Sequence, residues 1–278
     1  MKFFVLTYHS HNISGSDYAR NDHVALAADL SLLQAVGATI FPLAEVARKL
    51  GREAGAASRQ INVALSFDDG PLFDFADFVH PEHGPQRGFL NILRDFRSRH
   101  GPGALPGLHA TSFVIASPLA RSAMQRSPDC GYTFVRDWLR DDWWAEAASS
   151  GLMDIGNHSW DHVHHAAQRI AAKGDKRDDF AVVGDFDDAQ AEIRAASDFI
   201  AARAGCRPRL FAFPFGHVND YLVKEYLPQH GPSFGLEAAF ATGGAASERD
   251  SVWSIPRLVC GHHWHSPGEL ERLLLENA

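Results

Sequence analysis

The chain has 278 residues, 45% of them hydrophobic and 22% charged, which supports a sizeable core in one large α/β domain or two small ones. A net charge of −8 with histidines neutral argues against a nucleic-acid or anionic-membrane surface, and no apolar run is long enough to cross a bilayer. Cys130, Cys206 and Cys260 are scattered and odd in number, so neither a disulfide framework nor a cysteine-based zinc site is implied.

Lys2–Tyr8 reads as a first strand. It lacks the long apolar region and small-residue cleavage site of a signal peptide, so the expected compartment is the cytoplasm. Val24, Leu26, Leu30 and Leu33 recur at helical spacing, which predicts a helix over Asp22–Val36, ended by Gly37. A short extended piece at Ala38–Phe41 precedes a helix over Pro42–Leu50 that starts on proline, and then a Gly/Ala/Ser-rich loop at Gly51–Arg59. Ile61–Phe67 is a buried strand, Phe89–Arg99 a helix and Ala110–Ile115 a strand. Ser117–Arg136, broken by Pro118, Pro128 and Gly131, is expected to be irregular. A helix is expected over Asp137–Ser150 and a short strand over Leu152–Gly156, followed by a polar loop at Lys173–Asp179 and a long amphipathic helix over Asp185–Arg203. Strands at Arg209–Phe213, Leu236–Thr242 and Trp253–Val259 alternate with helices at Asn219–Leu227 and Pro267–Leu275. Strand–helix alternation throughout predicts a parallel α/β sheet or barrel, with functional groups at the C-terminal ends of its strands.

Two stretches carry chemistry. Val63–Phe67 runs into Asp68-Asp69-Gly70-Pro71, two adjacent carboxylates at the end of a packed strand and then a turn. Like charges so placed repel and are partly desolvated, and a metal ion is the simplest counter-charge. The second stretch is Gly156-Asn157-His158-Ser159-Trp160-Asp161-His162, whose two histidines four apart would share one face of a helical turn. One carboxylate and two imidazoles form a catalytic zinc-type set, supplied by Asp69, His158 and His162. Asp68 is then free to act as a base toward water activated by the metal. Zinc is the expected ion, with cobalt, nickel or manganese suited to the same donors.

Leu65-Ser66-Phe67-Asp68-Asp69-Gly70-Pro71 resembles the first motif of the polysaccharide deacetylases, the family 4 carbohydrate esterases with a NodB-homology domain. His158-Ser159-Trp160-Asp161-His162 resembles their second motif and Phe211-Ala212-Phe213-Pro214-Phe215-Gly216 the third, while Tyr8-His9 resembles the opening of the poly-N-acetylglucosamine deacetylase branch. The resemblance implies a distorted (β/α) barrel of about seven strands, spanning 1–278 as one catalytic domain. It implies a divalent metal and hydrolysis of the acetamide of an N-acetylated carbohydrate. By that matching Asp68 is the base, Asp69, His158 and His162 are the metal ligands, and the backbone N–H of Phe215, after Pro214, completes the oxyanion site. The third motif usually opens on an arginine that orients the base. Ala212 stands there instead, and Arg257 on the last strand is the expected substitute. Val259-Cys260-Gly261-His262 fits the motif that supplies a general acid, with His263 and His265 as competitors. Trp253 matches the apolar motif that lines the acetyl-methyl pocket. Insertions near 72–88 and 118–136 lengthen the gap between Asp69 and His158 and are expected to wall the site or to decorate the surface.

Trp138, Trp143 and Trp144 are expected in the core rather than on a sugar-stacking face, Trp160 as packing for the ligand turn, and His164 and His165 as exposed bystanders. His9 ends the first strand, where a lining role and plain burial are both open. His9-Ser10-His11 is also how amidohydrolase metal sites begin, but that reading leaves Asp68 and Asp69 without a role. A non-haem iron oxygenase also uses two histidines and a carboxylate, though usually on an all-β scaffold. A deacetylase-like domain without catalysis, binding metal or sugar only, is the further alternative that Ala212 raises.

Overall fold

A computed structural model describes residues 2–50, 60–130, 135, 137–167 and 177–276; the expected loop at Gly51–Arg59 and part of that at Lys173–Asp179 lie outside them. Strand β1 (Lys2–Tyr8) and β3 (Asn62–Phe67) pair in parallel from Phe4↔Val63 to Tyr8↔Phe67. Between them come α1 (Asp22–Ala35), the short β2 (Thr39–Ile40) and α2 (Leu43–Leu50). The hairpin of β4 (Phe78–His80) and β5 (Gly84–Gln86) leads into α3 (Phe89–His100) and β6 (Ala110–Val114). Helices α4 (Pro118–Arg126) and α5 (Trp144–Ser149) precede β7 (Met153–Asn157). The path continues through β8 (Leu210–Ala212) and β9 (Ala238–Phe240), and Ile255 bridges to Phe240. A short β10 (Ala246–Ser247) pairs antiparallel with β1, and β11 (Leu258–Val259) pairs in parallel with it. Among the described residues, seven parallel strands, with the short β2 beside the start of β3, thus curl round until the last meets the first, the distorted (β/α) barrel expected from the sequence.

Strands β1 and β3 are apolar almost throughout because both their faces are covered. Alternate residues part company: Phe4, Leu6, Tyr8, Val63, Leu65 and Phe67 pack outward on helices including α1 and α3, while Phe3, Val5 and Ala64 face an inner cluster with Phe113, Phe240 and Ile255. Leu43, Val46 and Leu50 of α2 belong to that inner cluster. Polar side chains accumulate toward the strands' C-terminal ends, beginning with the buried Thr7–Ser66 hydroxyl pair at 2.9 Å.

Four local expectations are corrected. Residues from Pro118 are helical, not irregular: Ser117 caps the Ala120 N–H, and proline at the first turn starts α4 rather than breaking it. The helix expected over Asp137–Ser150 is confined to Trp144–Ser149, because Trp138 and Leu139 turn into a separate cluster with Phe73, Ile115 and Met124. Pro256 interrupts the strand expected over Trp253–Val259, leaving β11 two residues long. The helix from Asp185 does not run straight: α6 (Phe186–Ala189) passes through a π-turn at Gln190–Arg194 into α7 (Ala195–Ala204). That π-turn presents the Ile193 carbonyl to Asn157 Nδ2 at 2.9 Å, which braces the end of β7.

After β3 the chain must turn sharply, and Gly70 permits it. Its φ is +61°, and a Cβ there would lie 2.5 Å from Val114 Cγ1 and 2.8 Å from Val114 Cα. Gly70→Ala is expected to cost about 1–3 kcal/mol from left-handed strain and overpacking, read as a lower urea midpoint with an unchanged slope.

Candidate active site

The β1/β3 register sets His9 and Asp68 side by side where the chain leaves the sheet, with the Asp68 N–H on the Tyr8 carbonyl at 3.2 Å. Asp69 takes a left-handed φ of 71°, so the two acids face different partners. Asp68 receives both ends of the Arg257 guanidinium, Nη1 to Oδ1 at 2.7 Å and Nη2 to Oδ2 at 2.8 Å. Arg257 is itself fully buried, with Nε on the Ala241 carbonyl at 3.2 Å and its guanidinium 5.3 Å from the Phe113 ring.

The turn after β7 carries the two expected imidazoles, but not on a helix. Asn157 Oδ1 accepts the Ser159 N–H at 2.7 Å, Ser159 Oγ accepts the His162 N–H at 2.9 Å, and Asp161 Oδ1 accepts the Val163 N–H at 2.7 Å. Ser159 and His162 have φ of 71° and 61°, so nested side-chain turns replace the helical turn that the spacing suggested. The turn is anchored beneath: Asn157 Nδ2 donates to Ser197 Oγ at 2.8 Å, and the Asp161 N–H to Glu192 of the π-turn.

Asp69 Oδ1 lies 3.5 Å from His158 Nε2 and 3.3 Å from His162 Nε2. These separations are long for charge-assisted hydrogen bonds. They match the edge of a tetrahedral zinc site, about 3.4 Å for nitrogen and oxygen ligands at about 2.0–2.1 Å. The tautomer agrees. His158 Nδ1 is 2.9 Å from the Ala212 carbonyl, which can only accept, so Nδ1 carries the proton and Nε2 turns a lone pair toward Asp69. The residues present therefore fit a divalent cation. His9 and His11 do not join this donor group, although His11 Nδ1 is 3.7 Å from Asp69 Oδ2, so the amidohydrolase-type ligand set is not the one assembled.

The electrostatics separate the two acids. Burial alone raises the Asp68 carboxyl, but Arg257 and then His158 outweigh it and hold it below its ordinary value. Burial likewise raises Asp69, and the imidazoles of His162, His11 and His158 more than reverse this. Burial pushes His162 down to about 3 and His11 down to about 4, against the pull of Asp69, so both are neutral at pH 7. A neutral imidazole is the form that ligates a metal.

These groups line a pocket of about 560 Å³, together with Phe215, Thr242 and His262. The Phe215 ring stands edge-on to His162 with centroids 4.4 Å apart, on a backbone with φ of 59°. Of the candidate acids on the last loop, His262 alone reaches the pocket, at its exposed rim; His263 Nδ1 accepts the Val259 N–H at 2.9 Å. His9 and His11 line it from the end of the neighbouring β1. Trp253 is not among the lining residues: it packs on Gly231 and the Tyr226–Phe234 cluster, because the chain has yet to re-enter the sheet at Ile255. Pro214 is buried behind Phe215. Trp138, Trp143 and Trp144 are core residues as expected. Among the described residues, none of 72–88 or 118–130 lines the pocket, so the first insertion and the described part of the second do not wall it. His164, His165 and Asp178 form a second group of possible donors on the exposed side, where His165 Nδ1 meets Asp178 at 2.9 Å.

Asp74 had no signal in the sequence, and His11 was marked only by the His9-Ser10-His11 pattern. Asp74 follows the carboxylate pair in a 3₁₀ turn, is fully buried, and accepts hydrogen bonds from Ser10 Oγ and, at 2.6 Å, Ser112 Oγ. Burial, helped by Asp69 and Asp68, pushes its carboxyl up to about 8. Only three-dimensional proximity to β1 and β6 gives it a role.

The polysaccharide deacetylase family profile matches residues 56–231. No curated protein matches the chain in sequence. Among solved structures, the Streptococcus pyogenes deacetylase PplD in complex with acetate superposes with a TM-score of 0.63 at 16% identity, over 99% of this chain and 98% of that one. IcaB from Ammonifex degensii gives 0.62 at 16% identity over 99% and 97%. The putative polysaccharide deacetylase from Bacillus anthracis gives 0.62 at 14% identity over 99% and 69%. At these identities the likeness to solved structures is one of fold.

Removing the guanidinium strands a buried carboxylate. Arg257→Met is expected to destabilise the metal-free protein by about 3–5 kcal/mol at pH 7. In the wild type the lowered Asp68 carboxyl gives stability that is present above the ordinary carboxylate range and is lost as pH falls through its folded value. In the variant Asp68 accepts a proton on mild acidification, so the deficit shrinks between pH 7 and pH 4. Urea titrations at both values check this, and adding Asp68→Asn to Arg257→Met should restore part of the loss.

Proposed function

From the premise that this chain belongs to the polysaccharide deacetylase family, we propose that it is a metal-dependent hydrolase that removes N-acetyl groups from a carbohydrate. The observation that carries this reading is the unequal fate of the two adjacent acids. Asp69 stands at ligand-edge distance from His158 and His162, while a buried arginine holds Asp68 ionised within 4.0 Å of His158.

A divalent ion held by Asp69, His158 and His162, most simply zinc, supplies Lewis acidity, polarising the acetamide carbonyl and acidifying water. The chain's own groups do the rest. Asp68 takes the proton from the attacking water, and the two-point grip of Arg257 fixes its plane. The backbone N–H of Phe215 faces the oxygen on which negative charge develops. The leaving amine needs a proton, and His9 is the better-supported donor. It is half-buried beside Asp68, one residue past the Tyr8–Phe67 pair, whereas His262 is exposed at the rim, where it suits contact with the sugar. Asn12 and Thr242 offer further hydrogen-bonding groups for sugar hydroxyls. The cation that Arg257 places on Asp68 supports catalysis over a binding-only domain, the alternative that Ala212 raises. The iron oxygenase alternative has no support in a parallel α/β barrel.

Acetate release from N-acetylated oligosaccharides tests the proposal. Asp68→Asn should lower kcat by about 10²–10⁴ while the metal content is retained. Chelation should abolish activity and added Zn²⁺ or Co²⁺ restore it. His9→Ala should fall chiefly in kcat and His262→Ala chiefly in KM; a full-rate Asp68→Asn enzyme would refute the assignment.

A further inference from the structure

His23, near the start of α1, is buried and touches two backbone carbonyls. Its Nε2 lies 2.7 Å from the Ser10 carbonyl and its Nδ1 2.7 Å from the Arg87 carbonyl. A carbonyl oxygen accepts and cannot donate. A neutral imidazole has one N–H, so one of these contacts would set a ring lone pair against a carbonyl lone pair at hydrogen-bond distance. Both contacts are satisfied together only if both nitrogens carry protons.

We propose that His23 is a buried imidazolium that acts as a positioning residue, strapping the turn that presents His9 and His11 to the segment that closes the 72–88 insertion. The strap gives the insertion a task although it does not line the pocket. Ser10, between the two pocket histidines, is gripped twice: its carbonyl by His23 and its hydroxyl by the buried Asp74. Arg87, at the far end of the strap, is fixed in turn by ion pairs to Asp77 and Asp95. Gln86 adds a parallel tie by accepting from Asn21 Nδ2 at 2.9 Å.

Several groups bear on the charge. Asp77, before β4, attracts it, and the Phe89 and Phe78 rings pack against the imidazole at 4.7 and 5.7 Å. Asp22, the preceding residue on α1, accepts the His9 N–H, and His11, across Ser10, is neutral at pH 7. Burial is the largest effect and leaves the imidazole below its ordinary value, although the two carbonyls and Asp77 push the other way; the contact geometry argues against that direction. The paired 2.7 Å contacts decide for the charged form, because deprotonation would have to break one of them. Loss of the proton at alkaline pH therefore releases either the His9–His11 turn or the insertion.

The inference rests on the proposed deacetylase reading only for its effect on rate; the protonation state is read separately. In ¹⁵N-histidine spectra of the zinc-loaded protein at pH 7, both His23 nitrogens should carry protons. The His9 and His11 ring signals should shift in His23→Phe, while zinc affinity stays within about threefold of wild type. Asp77→Asn, which spares the core, should lower the pH at which His23 loses its proton. In acetate release, His23→Phe should lose between about tenfold and a hundredfold in kcat with little change in KM, the scale of a sub-ångström misplacement, and the alkaline fall of the wild-type profile should disappear. A His23 nitrogen without a proton at pH 7, or unmoved His9 and His11 signals, overturns the proposal. An absence of acetate release from the wild type would instead sink the functional reading and leave the spectra to decide the strap.

Discussion

The structure turns on the two hydrogen bonds between Arg257 and Asp68. They join the last parallel strand region to the third across the inside of the barrel, where both side chains are buried. A buried ion pair of this kind is a poor device for stability alone, since apolar side chains of the same volume do as well. What it secures is a carboxylate that stays ionised in a low-dielectric site. The pair also ties barrel closure to the chemistry. Ile255 meets Phe240, Leu258 meets Leu6, and the arginine between them can then reach Ser66 and Asp68.

Adjacent acids in one turn would ordinarily share one environment and repel. Here a left-handed backbone at Asp69 separates them, so that one meets a fixed cation and the other meets the imidazoles of His158 and His162. Those imidazoles are held by backbone and core. His158 is oriented by a carbonyl of β8, and the His162 turn by Asn157 and Ser159. The π-turn explains how a short loop is held so firmly, since Ile193 and Glu192 offer groups that a regular helix would keep to itself or point elsewhere.

Much of this was legible in the chain. The buried strands announced themselves as apolar runs, and α1, α3 and the last helix by their periodicity, because burial of one face or both is written directly into residue type. The Asp68-Asp69 and His158/His162 pair was legible because ligand chemistry admits few residue types. The rest depended on distant contacts. Proline in Ser117-Pro118 starts a helix or ends one according to its neighbours, so the local sequence does not reveal α4. Trp138 has the spacing of the α5 helix but leaves it for Phe73 and Met124, which no local pattern reveals. Trp253 matched a motif by position but is carried away from the pocket by the short final strand.

The family match covers residues 56–231, which hold Asp68, Asp69, His158, His162 and Phe215. The ends of the chain lie outside it and complete the site: His262 lines the pocket and Arg257 grips Asp68 from behind it at one end, while His9 and His11 line it from the other. Parallel pairing brings these ends together, since β1 lies between β3 and β11. The middle of the chain therefore supplies the carboxylate and imidazoles that could hold a cation, and the C-terminal end supplies the arginine that orients the second acid. A position left empty in the middle, as at Ala212, can be filled from an end because barrel closure makes residues far apart in sequence equivalent in space. Matching a motif residue by residue finds ligands more readily than it finds the groups that orient them, for a ligand must meet the ion in a set geometry, while an orienting cation can approach from any strand that ends at the same rim.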